Sequence, residues 1–368
     1  MHSRIRLAGR LGALLILLAI SVIVYAAYIG RTAPIQHESV TSNASLKVRS
    51  ADMSNAEDPQ LRLLAQYEQG LRHQFTSEML FVSMPRTDDE AQTEAATLVP
   101  TLKAYSTYNL APLIIMEPTD TNGNPIDLTA LRTFSGAFQS LLGDLKRAGI
   151  TDGQIGTLVL LPEANLPDWG GASTDPALFA QNYTVLGGVV KRFFPNAHLS
   201  LLLDSTAYPS GDTAHLSGDK SLKALLRYIT ALRQYPKTPK IDSLGFQGFP
   251  WTASDNPSNY LNAIKAEVLA RALGVHSIWF NTGTAQTYGT AAVSRSVREG
   301  QLLGELAQAK SAQASGFTVR MNIFGFIDTG VNWTYPLASN GQVAQPLPMF
   351  IQAASLDGVE TSLFVATN

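Results

Sequence analysis

Eight short apolar runs, alternating with longer amphipathic stretches, leave this chain few ways to fold. The runs are Met79–Met84, Pro112–Met116, Thr157–Leu161, Leu199–Leu203, Ser243–Gln247, Ser277–Phe280, Val319–Phe324 and Thr361–Val365. They are apolar nearly throughout rather than alternating, the mark of strands buried on both faces of a parallel sheet. Helical stretches lie between them at Asp88–Ser106, Leu128–Ala148, Ala177–Phe194, Ser221–Tyr235, Asn259–Leu273 and Val293–Ser311. Strand and crossover helix repeated in this way predict an α/β protein, a (β/α)8 TIM barrel over residues 59–368. An open doubly wound sheet is the rival, but no G-x-G-x-x-G or Walker sequence follows a strand, so dinucleotide binding finds no support.

The segment ahead of the barrel has a different character. Leu11 to Ile29 carries no charge and is long enough to cross a bilayer. Arg4, Arg6 and Arg10 precede it, against a single Arg31 just beyond. The positive-inside rule then keeps the N-terminus cytoplasmic and places the rest outside. Residues 1–30 are therefore expected to be one transmembrane signal anchor, with the barrel held outside the cell membrane. The alternative is a cleaved signal peptide, with Ala26 and Ala27 near the cut and the domain secreted. Residues 31–58 are polar, rich in Ser, Thr, Asn and Ala, and read as a linker.

Composition removes several functions. The 27 basic and 29 acidic side chains nearly cancel, with no dense basic stretch, so a nucleic-acid partner is not expected. Cysteine is absent, which excludes disulfides, thiolate metal sites and cysteine nucleophiles. His73, His198, His215 and His276 lack ligand spacing, so neither a metal nor another cofactor is expected. Ser205 and Ser210 lie in no G-x-S-x-G elbow.

In such barrels the chemistry sits at the C-terminal ends of the strands. The polar and aromatic residues there are Glu117, Glu163, Asn165, Asp204, Phe249, Trp251, Asn281 and, a little past its strand, Asp328; Trp169 follows in the Glu163 loop. Each carboxylate is either a site group or a solvated turn or cap residue. Carboxylates beside aromatic platforms are what glycosidic cleavage needs: one acid protonates the departing oxygen, a second carboxylate attacks or activates water, and flat rings stack on sugars.

Four ordered segments add a resemblance. Leu113–Pro118 (LIIMEP), Leu158–Trp169 (LVLLPEANLPDW), Ile241–Trp251 (IDSLGFQGFPW) and Ser277–Gly283 (SIWFNTG) together resemble the family-26 glycoside hydrolases, the retaining (β/α)8 β-mannanase group. The resemblance implies that Glu163 is the general acid/base, that Asn165 is its polar partner, and that Trp169 and Trp251 are sugar platforms. It also implies that Asn281 stands at the nucleophile position. The departures are equally specific. Pro162 replaces the family's histidine before the acid, Phe249 replaces the tyrosine that supports the nucleophile, and Asn281 replaces the nucleophilic glutamate. A neutral amide cannot form the glycosyl ester of a retaining mechanism.

Three functions follow as expectations. The first is a membrane-tethered, glycosidase-like domain that binds a β-linked polysaccharide or oligosaccharide with retaining catalysis impaired. The second is an active glycosidase pairing Glu163 with Glu117 or Asp204, with Glu117, Asn165, Trp169, Asp204, Phe249 and Trp251 contacting substrate. The third is a non-catalytic surface scaffold.

Overall fold

The structure, a computed structural model, describes residues 49–119, 131–166, 175–206, 220–250, 254, 256–283, 287–288, 291–326 and 347–366. The expected anchor and most of the linker lie outside the described residues. So do Trp169, Trp251 and Asp328. Among the described residues no helix is long and apolar enough to cross a membrane.

Eight parallel strands form the barrel: β1 (Ser77–Ser83), β2 (Ala111–Glu117), β3 (Thr157–Leu160), β4 (His198–Asp204), β5 (Ser243–Gln247), β6 (Ser277–Thr282), β9 (Thr318–Phe326) and β10 (Glu360–Ala366). Between β6 and β9 a two-stranded antiparallel hairpin is made by β7 (Thr287–Tyr288) and β8 (Ala291–Ala292). The barrel strands follow one another round the ring in chain order, and β10 returns to β1 at Glu78↔Leu363. All eight apolar runs are strands, and each of the six expected helices is present with ends moved by a few residues.

Caps explain where the helices start. Thr87, Asp175, Ser221, Asn262 and Ser294 each accept a backbone N–H of the first turn of their own helix, meeting donors that the helix itself cannot satisfy. Further helices are Pro59–Leu71, opened by Asp58 with Pro59 at its first position, the short Asp152–Ile155 and Leu347–Leu356.

Residues 49–58, read from sequence as the end of the linker, belong to the fold. Residues 49–54 are helical, and Met53 is fully buried. Arg49 Nη2 lies 3.0 Å from the buried Glu68 carboxylate and donates to the Phe75 carbonyl at 2.8 Å. Asp58 caps the helix that follows. A polar composition disguised this segment because its few contacts are made by one methionine and one ion pair.

Strand alternation sorts the core. Leu80 and Val82 of β1 pack outward against the helices, while Met79 joins Leu113, Ile115, Val159, Leu202, Phe249 and Trp279 in a separate cluster inside the barrel. Gly245 makes room for the largest of these. It pairs with Trp279 on the next strand, and a Cβ there would lie 2.2 Å from the indole ring. The indole N–H donates to Ser200 Oγ at 2.8 Å, so the ring cannot slide away without losing a buried bond. Gly245→Ala is therefore expected to cost about 1–3 kcal/mol in urea unfolding. Adding Trp279→Phe should recover part of that loss, giving a double variant less unstable than the two single effects added.

Candidate functional site

The site grows from a single register row. Asp204↔Gln247, Gln247↔Asn281, Asn281↔Asn322 and Asn322↔Ser362 are cross-strand partners on β4, β5, β6, β9 and β10. All five side chains are buried, and they join along the row. Ser362 Oγ donates to Asn322 Oδ1, Asn322 Nδ2 to Asn281 Oδ1 at 3.3 Å, and Asn281 Nδ2 to Gln247 Oε1 at 2.9 Å. Gln247 Nε2 then donates to Asp204 Oδ2 at 2.7 Å and to Glu163 Oε1 at 2.6 Å.

Glu163 reaches this row through a strained turn. Leu161 and Glu163, on either side of Pro162, have φ of 52° and 51°. Neither is glycine, and a side chain in the left-handed region costs roughly 1–3 kcal/mol at each position. The turn is held by Ala164 N–H donating to the Leu202 carbonyl at 3.1 Å and Leu166 N–H to the Glu163 carbonyl at 2.7 Å. Strain held in this way places the Glu163 carboxyl over the C-terminal end of the barrel, half-buried beside Asp204.

The two carboxyls share a hydrogen-bond donor and differ in everything else. Both accept from one nitrogen, at 2.6 and 2.7 Å, so those oxygens are no more than 5.3 Å apart. Asp204 also accepts from Thr206 N–H at 2.9 Å and Thr206 Oγ1 at 2.8 Å, and Lys220 Nζ lies 3.4 Å from its Oδ1. Burial raises its pKa, while Lys220, the Thr206 donors and Gln247 pull it down. Glu163 has fewer donors. Burial first, then the Asp204 charge, push its carboxyl up to about 8, with Glu117 adding to the rise. Two such neighbours hold one proton between them near neutrality, and the proton rests on Glu163 because Asp204 has the cation and the hydroxyl. Glu117, half-buried at the end of β2, is pushed up to about 7 by burial.

Several sequence expectations change here. Asp204, Asn165 and Phe249 were read as contacts to a ligand, yet none offers surface to one. Asp204 is fully closed to solvent. Asn165 donates to the Asp204 carbonyl and accepts its N–H, both at 2.8 Å, so it fixes the end of β4. Phe249 is packed inside the barrel, its N–H donating to Thr206 Oγ1 at 3.3 Å. Asn281 faces inward as its place at the strand end requires, but it is 1% exposed.

Gln247, Thr206, Lys220, Asn322 and Ser362 were missed, although Gln247, Asn322 and Ser362 were visible as polar residues within largely apolar strand runs. Phe81 was missed too. It shares the inward parity of Met79 on β1 and is 37% exposed, but an unbroken apolar run hides which of its residues face the lumen. Among the described residues no group of three or more His, Asp or Glu is arranged to hold a metal ion.

No family model matches the chain, and no curated protein matches it either. Solved structures do. Beta-glucosidase from Thermotoga maritima in complex with noeuromycin superposes with a TM-score of 0.55 at 11% identity, covering 81% of this chain and 86% of that one. Exo-beta-1,4-mannosidase Op5Man5 from Opitutaceae bacterium strain TAV5 gives 0.53 at 16% identity, over 81% of this chain and 56% of that one. The fold is a (β/α)8 TIM barrel, the architecture these two enzymes share. At these identities the likeness is one of architecture, and the family-26 assignment is not established by it.

Proposed function

We propose that this chain is an exported, membrane-tethered carbohydrate-active domain of the β-mannanase type that binds a β-linked polysaccharide, with retaining catalysis impaired. One observation carries the reading: a strained turn presents the Glu163 carboxyl at the barrel mouth, and Gln247 links it to Asn281, a buried amide at the end of β6. Such an acid can donate to a glycosidic oxygen or a sugar hydroxyl. The positive charge that develops on a cleaved sugar, however, finds an amide at Asn281 where a retaining mechanism needs a carboxylate. Asp204 lies within the retaining separation of about 5–5.5 Å, but its oxygens are committed to Thr206, Gln247 and Lys220, and no sugar carbon reaches a group closed to solvent. The exposed ring of Phe81 supplies an aromatic surface of the kind that stacks on sugars. Export and tethering rest on the uncharged Leu11–Ile29 segment and the arginines before it.

A second reading, an active glycosidase pairing Glu163 with Glu117, is favoured by one fact. Glu117 is half-buried and close enough to raise the proton affinity of Glu163. Calorimetric titration with manno- and gluco-oligosaccharides, together with reducing-sugar release from the polymers, separates the two. The expected result is binding by the wild type, weakened at least tenfold in Phe81→Ala, with negligible sugar release. Robust release abolished by Glu117→Gln or Glu163→Gln would establish the second reading, and absence of any binding would remove both.

A further inference from the structure

The inside of a barrel of this kind is normally filled by apolar side chains, yet a line of amides and hydroxyls crosses this one from β10 to β4. Its order is not arbitrary. An ionised carboxylate can only accept, so Asp204 compels Gln247 to present its NH2 and to turn its oxygen toward β6. That oxygen needs a donor, so Asn281 presents its NH2 and turns its own oxygen toward β9. Asn322 repeats the choice, and the Ser362 hydroxyl closes the line. Every dipole therefore points the same way, with its positive end at Asp204 and Glu163. Aligned bonds in a water-free interior polarise one another, so each strengthens the next.

We propose that Asn281, Asn322 and Ser362 are positioning residues, a head-to-tail dipole line that holds the Gln247 NH2 on Glu163 and Asp204 and sets the proton affinity of that pair from as far away as β10. Asn281 then has a task of its own, as the link between Gln247 and Asn322. The charged and titratable groups facing Glu163 are Asp204 from β4, Glu117 from β2 and Lys220 ahead of the helix Leu222–Gln234. Asp204 stands across the ring from β10, with Lys220 paired to it, and Glu117 stands two strands from β10.

The proposal builds on the role given to Glu163, but its test needs no glycan. Protein labelled with carboxyl-13C glutamate is titrated by NMR, and the Glu163 resonance is identified by its loss in Glu163→Gln. Removing donors that favour the charged form raises a carboxyl's midpoint. Ser362→Ala should move the Glu163 midpoint up by at least about 0.3 pH unit, and Asn281→Leu by more. Ser362→Thr keeps the hydroxyl and should titrate like the wild type. Ser200→Ala, inside the barrel but bonded to Trp279 and Ser243 instead, should also leave the midpoint in place. Wild-type midpoints in folded Ser362→Ala and Asn281→Leu would overturn the proposal, and if Asn281→Leu does not fold, Ser362→Ala decides alone. Failure of sugar binding would leave these midpoints as they are, and unshifted midpoints would leave sugar binding untouched, so the two ideas fail separately.

Discussion

Replacing Asp204 by alanine is expected to destabilise the fold by about 3–5 kcal/mol, read as a lower urea midpoint at pH 7. The reason is what remains behind. Lys220 loses the buried carboxylate that offsets its own burial, and breaking a buried ion pair from one side costs most of that amount. Thr206 and Gln247 lose an acceptor as well, each leaving a buried donor unsatisfied. Asp204→Asn should cost less, because the amide retains one acceptor for Thr206 or Gln247 while offering nothing to the lysine charge. If alanine proves as stable as wild type, the Asp204–Lys220 pair is solvated in solution and the closed description of the mouth is wrong.

The second large effect is a fall in stability as pH rises from about 5 to 8. Glu163 is raised in the folded state from the ordinary 4.5 to about 8. Below 4.5 both folded and unfolded chains hold this proton, and its stabilising contribution is complete. Between 4.5 and about 8 the unfolded chain releases the proton and the folded chain keeps it, so folding becomes less favourable with each step in pH. Above about 8 both forms are ionised and the loss levels off. Glu117, raised to about 7, acts in the same direction over a narrower window. Together they amount to a few kcal/mol. Glu163→Gln should flatten the pH dependence of the urea midpoint, since an amide has no proton to lose. An unchanged slope in that variant would place the raised carboxyl elsewhere.

The barrel was legible in the sequence because its strands are buried on both faces and therefore apolar nearly throughout. The same property concealed the site. An uninterrupted run such as MLFVSM gives no parity, so Phe81 could not be assigned to the lumen, nor Leu80 to the helix layer. Glu163 follows β3 and Asn281 stands near the end of β6, and one side chain, Gln247, connects them. Position alone does not reveal access, however. Asp204, Asn165 and Phe249 end strands or follow them as expected, yet they face inward or bond to backbone. The polar residues that matter most inside the barrel stand on five different strands, and only the register of the closed sheet shows that they form one row.

The contact between Arg49, Glu68 and the Phe75 carbonyl has a geometric outcome. It fastens the helical residues 49–54 close to the start of β1, at the base of the barrel, whereas Glu163 sits at the other rim. A seven-residue strand such as β1 spans roughly 23 Å, so this fastening and the Glu163 turn brace opposite ends of the barrel wall.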